Sequence, residues 1–172
     1  KPMEYPIQFF LDMAWNPKAF NPNNIFDHTI TFATNQFGEK DAVEIADIIK
    51  LYSKYARRVT PELLEANTYS FNYNEWDTVL KEWNDLERRA LRVYQKLDQR
   101  WYDAFEQLVL FPIQAMQNMY EMYYSVAMNE KAASPVEINY WAKRVEDLYK
   151  RDSLLCAHYH HDISGGKWNH MM

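Results

Sequence analysis

The chain has 172 residues, of which 48 % are hydrophobic and 16 % aromatic, and its formal net charge is −5. That length allows one domain with a sizeable core. The acidic balance, with no basic stripe, argues against nucleic acid as a partner, and no apolar run reaches the roughly 18 residues of a membrane span. A single cysteine, Cys156, excludes an internal disulfide. With only three glycines and few β-turn dipeptides, the composition predicts an all-α fold.

The first segment, "YPIQFFLDMAW" at residues 5–15, alternates weakly between two faces. Period-two alternation with a proline near its start predicts a short, mostly buried extended segment. No other stretch indicates a strand. Because a lone strand cannot pair its own backbone groups, two interpretations stay open: the segment is not a strand by itself, or its sheet lies outside these residues.

Two Asn-Pro steps follow, at Asn16-Pro17 and Asn21-Pro22. Proline disfavours the α region for the residue before it, which predicts a loop over residues 14–23. Asn24 is suited to cap a first helix that runs to about Phe37, where Gly38 provides the stop. Residues 1–23 are therefore predicted to be an extended segment and loop.

Helical periodicity dominates the rest of the chain. Ser134, Pro135 and Glu137 form a capping box with proline at the first helical position. Pro112 falls inside the longest pattern and predicts a kink that packing must offset. The predicted helices cover about residues 24–37, 40–57, 75–97, 99–131 and 135–159, with a short one from Pro61. Residues 24–161 thus predict an up-and-down bundle of four or five helices, and residues 162–172 a C-terminal connector.

The most tempting cluster for metal binding lies near the C-terminus: Cys156, His158, His160, His161 and His170. Cys156 and His160 have the i, i+4 spacing that converges on one helix face. Against a metal site, Cys156 also falls on the apolar face, and Gly165-Gly166 breaks the register. We therefore interpret the cluster as a core cysteine with imidazoles near a helix C-terminus, and predict neither metal nor cofactor.

The acidic residues predict no catalytic pair within this chain. Glu87 with Arg88, and Glu146 with Lys150, are typical of solvated helix faces with alternating charge. A di-iron carboxylate bundle needs Glu-x-x-His twice, and that motif is absent from the sequence. Glu121 and Tyr124 lie off the main apolar stripe, and the hypothesis for them is that they face a neighbouring domain.

Three stretches carry a resemblance to a known family: "KPMEYPIQFFLDMAWNPKAF", "WYDAFEQLVLFPIQAMQNMYEMY" and "SGGKWNHMM". They resemble glycoside hydrolase family 115, the xylan α-1,2-glucuronidases, over essentially the whole chain. The resemblance implies the last strand of a catalytic barrel, then a helical domain, then an exit toward a β-sandwich. A more distant likeness, through the Trp15-Asn16-Pro17 step, is to the N-acetylhexosaminidases of family 84.

The family resemblance implies that the parent enzyme removes glucuronic or 4-O-methylglucuronic acid from xylan by an inverting hydrolysis without a metal. The family's carboxylates lie on barrel strands before Lys1, so this chain alone is expected to be inactive. Its expected partners are the preceding barrel and the following β-sandwich, glucuronoxylan through the parent, and a second copy in a homodimer. The implied location is periplasmic or secreted.

By resemblance, Lys1 and Glu4 match the family's K-P-x-E stretch, and Asp12, Trp15 and Asn16 match its D-x-A-W-N stretch. Active sites in barrels lie at the C-terminal ends of strands, which would bring the tryptophan and the asparagine closest to substrate. Trp15 either stacks on a sugar or plugs the contact between barrel and bundle. Lys1 and Glu4 either bind substrate or form an ion pair at the rim.

The alternative function is a free-standing helical protein–protein interaction module unrelated to sugars. It predicts that residues 1–23 form a disordered or self-packed arm. It also predicts a self-sufficient fold without an exposed apolar patch.

Overall fold

The structure is a computed structural model that describes residues 4–19, 21 and 23–170. The described residues are helical and contain no strand, as the all-α prediction requires. Six long helices are present when the run from Tyr102 to Lys131 is counted once. The α-helices are α1 (Glu4–Trp15), α2 (Ile25–Phe37), α3 (Ala42–Ala56), α4 (Glu75–Tyr94), α5 (Tyr102–Phe105), α6 (Phe111–Lys131) and α7 (Pro135–His161). Short 3-10 turns cover Pro17–Ala19, Pro61–Leu63, Gln99–Trp101 and Ile163–Gly166.

The prediction of an extended N-terminal segment is wrong, because residues 4–15 form helix α1. A helix pairs its backbone groups within the segment, whereas an isolated strand leaves them unpaired. Pro6 lies in the first turn, where helical N–H groups lack intrahelical partners in any case. Tyr5 and Phe9 are four residues apart, so they share one helix face, whereas Ile7 and Leu11 of the alternating set lie on the opposite face. The weak alternation therefore did not determine the structure of this segment.

Consecutive helices pack side by side, from α1 against α2 through α3, α4 and α6 to α7, in an up-and-down arrangement. Asn24 occupies the predicted N-cap position of α2, but its side chain makes no capping hydrogen bond and donates to the Asp27 carboxylate instead. Gly38 ends the helix at φ 81°, as predicted. Most of the largest fully buried side chains belong to α2, α3, α4 and α6: Phe37, Ile45, Ile48, Trp76, Trp83, Leu86, Ile113 and Tyr120. No helix in the described ranges is long and apolar enough to cross a membrane.

A π-helical segment, Glu106–Leu110, joins α5 to α6 and ends two residues before Pro112. In this wider turn the N–H of Phe111 donates to the carbonyl of Glu106, five residues back. Proline has no N–H, and in a regular α-helix its ring would clash with the carbonyl four residues earlier. The widened turn accommodates Pro112, which is buried. The long helix therefore accommodates the proline by a change of helix type as well as by packing.

Helix α7 begins at the capping box that the sequence predicts: the N–H of Glu137 donates to Ser134 Oγ, and the Glu137 carboxylate accepts from the Ser134 N–H. The Ser134 hydroxyl also donates to Glu137 Oε2 at 2.9 Å, and this bond, together with the Ser134 N–H, holds the pKa of Glu137 below its usual range. The helix packs mainly on α6, and Leu148 is its buried residue. Because α7 is covered on one side, much of its surface, aromatic rings included, remains in solvent.

Candidate substrate-binding site at the end of helix α1

Asp12 connects α1 to α2 through His28. The His28 Nε2 atom lies 2.9 Å from Asp12 Oδ2, and the imidazole is buried while the carboxylate is partly exposed. The rings of Tyr5 and Phe9 flank the imidazole at centroid distances of 5.8 and 5.1 Å. The Tyr5 hydroxyl lies 2.7 Å from Thr29 Oγ1 on α2, and burial raises the pKa of this tyrosine. Asp12 therefore helps to hold α1 on the bundle.

Trp15 and Asn16 lie where α1 ends, one turn beyond Asp12. The Asn16 N–H donates to the Asp12 carbonyl at 3.0 Å, and Ala19 N–H donates to the Asn16 carbonyl at 3.0 Å. The Trp15 side chain is 92 % exposed, and Asn16 is exposed as well. The structure thus brings Asp12, Trp15 and Asn16 together at a helix end, whereas the sequence placed them at the end of a strand.

The other two predicted residues do not join this group. Glu4 is exposed in the first turn of α1, eight residues before Asp12, which is about 12 Å along a helix axis. It lies at a crevice that Tyr5, Tyr52 and Ser53 also line. Lys1 lies outside the described residues, so both interpretations of Lys1 and Glu4, substrate binding and an ion pair at the rim, stay predictions.

Helix α1 exposes a continuous apolar face. Ile7, Leu11 and Trp15 follow one another at i, i+4 and i+8, and Phe10 lies beside them. Each of these four residues is at least 50 % exposed. They lie on the side of α1 opposite Tyr5 and Phe9, which contact α2. Contiguous exposed apolar side chains of this size usually mark a contact surface. We call these four residues the α1 apolar face.

His28 is the residue at this site that sequence reasoning missed. It lies 16 residues from Asp12 on a different helix, so no local spacing relates the two. The assignment of residues 5–15 to a strand also concealed the i, i+4 relation that places Tyr5 and Phe9 on one face. A helical interpretation of the segment would have suggested a packed partner in α2.

The Cys156 and histidine cluster does not converge. In the described part of the chain, no group of three or more His, Cys, Asp or Glu side chains is placed to hold a metal ion. The prediction of a core cysteine is wrong, because Cys156 is exposed. It lies eight residues after the buried Leu148, a rotation of about 80° around the helix, which turns it away from α6. Partial burial nevertheless raises the pKa of its thiol.

His158 bridges two carboxylates near the end of α7. Its Nδ1 lies 2.9 Å from Asp162 Oδ2, and its Nε2 lies 3.2 Å from Glu106 Oε2 in the π-helical segment. Only the imidazolium donates from both ring nitrogens. The hydrogen bond to Asp162 and the contact with Glu106 raise the pKa of His158, against a smaller opposing effect of burial.

Replacing His158 with glutamine is expected to remove a stabilising contribution that depends on pH. A raised folded-state pKa stabilises the fold fully below the unfolded value of about 6.5, and this effect is lost as pH rises through the folded value. Since the side chain is partly exposed, the effect should stay below about 1 kcal/mol. Urea unfolding at pH 5.5 and 8.5 measures this contribution. The free energy of unfolding of the wild type should exceed that of the variant at pH 5.5 only. His161→Gln, at an exposed position in the same turn, is the control, and an equal loss at both pH values would contradict the expectation.

The described residues of the α1 site lie within a stretch that matches a known family. Residues 1–63 match the model of Glycosyl hydrolase family 115. The match confirms the family 115 resemblance for the first 63 of 172 residues. The resemblance beyond residue 63 and the likeness to family 84 stay predictions. No curated protein matches the chain. The family 115 match relates the chain to hydrolases that act on carbohydrates, and it spans α1, α2, α3 and the 3-10 turn after them.

Proposed function

We propose that this chain is the helical accessory domain of a xylan α-1,2-(4-O-methyl)glucuronidase. On this proposal a catalytic barrel precedes it in the whole enzyme and supplies the catalytic carboxylates, and a β-sandwich follows it. Trp15 and Asn16 contribute to the rim of the pocket. Asp12 holds their helix in place through His28, and its partly exposed carboxylate lies one turn from them.

The observation that carries this proposal is the α1 apolar face within the family 115 match. Ile7, Phe10, Leu11 and Trp15 are exposed, and all belong to the matched residues. Covering a large apolar side chain is worth about 1.5–3 kcal/mol relative to leaving it in water. A barrel packed on this face would gain that free energy. A free-standing interaction module predicts a self-packed arm, and α1 does pack on α2 through Tyr5 and Asp12. It also predicts no exposed apolar patch, and on this second point the α1 apolar face counts against the alternative.

The indole of Trp15 suits a position at the pocket rim. Its flat apolar surface can lie against the C–H face of a sugar ring, while its N–H can donate to a hydroxyl. Asn16 offers both an amide donor and a carbonyl acceptor beside it. The two side chains therefore provide stacking and hydrogen bonding for a glucuronic acid side group or for the xylan that carries it.

A turnover assay on glucuronoxylan tests the proposal. The chain alone should release no glucuronic acid, because the proposal places the acid and the base of an inverting hydrolysis outside it. The product of the longer reading frame that contains these residues should release it. Release of glucuronic acid by residues 1–172 alone would refute the proposal, as would a longer product that carries no barrel and leaves glucuronoxylan intact.

A further inference from the structure

An open groove lies between α4, α6 and α7, away from the α1 apolar face. Three aromatic rings line one wall: Tyr124 on α6, and Tyr140 and Trp141 on α7. Trp141 meets Tyr140 and Tyr124 edge to face, at centroid distances of 4.9 and 5.9 Å. The Tyr140 side chain is 61 % exposed, and Trp141 is partly exposed. The wall therefore presents flat apolar surface to solvent in a concave setting.

The facing wall of the groove is polar, and the buried side chain of Gln117 holds its polar groups in place. Glu121 pairs with Arg144 across α6 and α7. Gln117, only 2 % exposed, donates to Glu121 Oε2 at 2.7 Å and to Asn84 Oδ1 at 2.8 Å. Its own carbonyl accepts from Arg151 Nη1 at 2.6 Å. A buried amide with all of these contacts fixes the orientation of the groove's polar groups before any ligand arrives.

The groove's charges balance. Lys143 and Arg144 are its cations alongside Glu121 and Asp147, and Lys143 Nζ lies 3.1 Å from Asp147 Oδ1. An excess of either sign would favour a charged ligand, whereas this pairing leaves donors and acceptors interspersed. Arg144 has five N–H donors, and within the described residues its recorded partner is the Glu121 carboxylate. Such a surface suits hydroxyl groups, which donate and accept.

We propose that this groove binds a neutral oligosaccharide, with a pyranose ring against Trp141 and Tyr140 and its hydroxyls on Arg144, Glu121 and Asn84. The groove lies outside the family 115 match, so its own chemistry carries the assignment, and the match adds that carbohydrate is the substrate class of the family. The site is separate from the α1 end. It would hold a xylan chain near the enzyme without taking part in hydrolysis.

Calorimetric titration of the full 172-residue chain with xylohexaose tests the groove. We expect saturable binding that Trp141→Ala and Tyr140→Ala each weaken by at least about tenfold, since each removes a stacking surface. Tyr149→Ala is the matched control: it truncates a tyrosine of α7 that is 66 % exposed and does not line the groove, so affinity should not change. Far-UV circular dichroism checks that every variant folds.

Two outcomes would overturn the groove assignment. One is the absence of xylohexaose binding at millimolar concentration by a chain that is folded. The other is binding that Trp15→Ala abolishes while Trp141→Ala and Tyr140→Ala leave it intact, which would move sugar binding to α1. Arg144→Gln separates stacking from hydrogen bonding: it should weaken binding several-fold and leave the fold unchanged. Failure of the turnover assay on the longer product would not alter any of these results.

Discussion

Replacing Trp83 with alanine is expected to destabilise the domain by about 3–5 kcal/mol, the usual cost of truncating a fully buried large aromatic side chain. The Trp83 side chain is 0 % exposed. It lies between three tyrosine rings, with centroids 5.9 Å from Tyr52, 5.7 Å from Tyr55 and 5.5 Å from Tyr120. Alanine would leave a cavity at the junction of α3, α4 and α6. Urea unfolding followed by far-UV circular dichroism gives the free energy directly.

Trp15→Ala is the matched control for that measurement, because it removes the same side chain from an exposed site. Surface substitutions of this kind usually change stability by less than about 0.5 kcal/mol. Single domains are stable by about 5–15 kcal/mol, so the loss at Trp83 would remove a large part of the total. A Trp83→Ala variant within about 1 kcal/mol of the wild type would contradict the packing described for the core.

The sequence predicts most of the bundle because its signals are local. Asn24 and Gly38 bound α2 at the expected positions, although Asn24 makes no side-chain capping hydrogen bond, and the Ser134 capping box begins α7. Each of these rests on a few neighbouring residues whose backbone preferences agree with the periodicity. The observed helices differ from the predicted ones where a proline or a turn competes with the helix. One example is the segment before Pro112, where the chain changes to a π-helix.

Residues 4–15 show where local reasoning fails. An apolar segment of this length satisfies both the two-residue and the 3.6-residue period, and only its surroundings decide between them. Without a neighbouring strand to pair with, the helix satisfies the backbone. His28 then provides the polar contact for Asp12. Of the predicted site residues, Asp12, Trp15 and Asn16 therefore lie at the C-terminal end of a helix. The case for a covering partner rests on exposed side chains instead of an unpaired strand.

The Gln117 network illustrates contacts that sequence spacing does not reveal. Gln117 contacts Asn84 on α4 and Arg151 on α7, 33 and 34 residues away. Only the i, i+4 relation of Gln117 to Glu121 is local. Glu121 and Tyr124, for which the sequence suggested contact with a neighbouring domain, both line the groove, but the groove itself depends on the packing of three helices.

Trp15→Ala in the longer, barrel-containing enzyme is expected to lower kcat/KM on glucuronoxylan by about ten- to a hundredfold, or roughly 1.4–2.7 kcal/mol of transition-state stabilisation. On the proposed function its indole stacks on sugar at the pocket rim, and alanine removes that surface. Steady-state kinetics on glucuronoxylan measure the effect. Tyr73→Ala, at an exposed aromatic residue before α4 and outside α1, should leave kcat/KM unchanged.

The same variant separates the two roles that the sequence leaves open for Trp15. A stacking role predicts that kcat/KM falls while the melting temperature of the longer enzyme stays within a degree or two of the wild type. If Trp15 instead plugs the contact between barrel and bundle, the melting temperature should fall and kcat/KM should change less. Truncating an indole covered by the barrel costs about 3–5 kcal/mol of stability. Trp15→Phe sharpens the comparison, because it keeps a flat ring for stacking but fills a plugged site less completely. Unchanged kinetics together with unchanged melting would refute both roles and leave Trp15 as an exposed side chain.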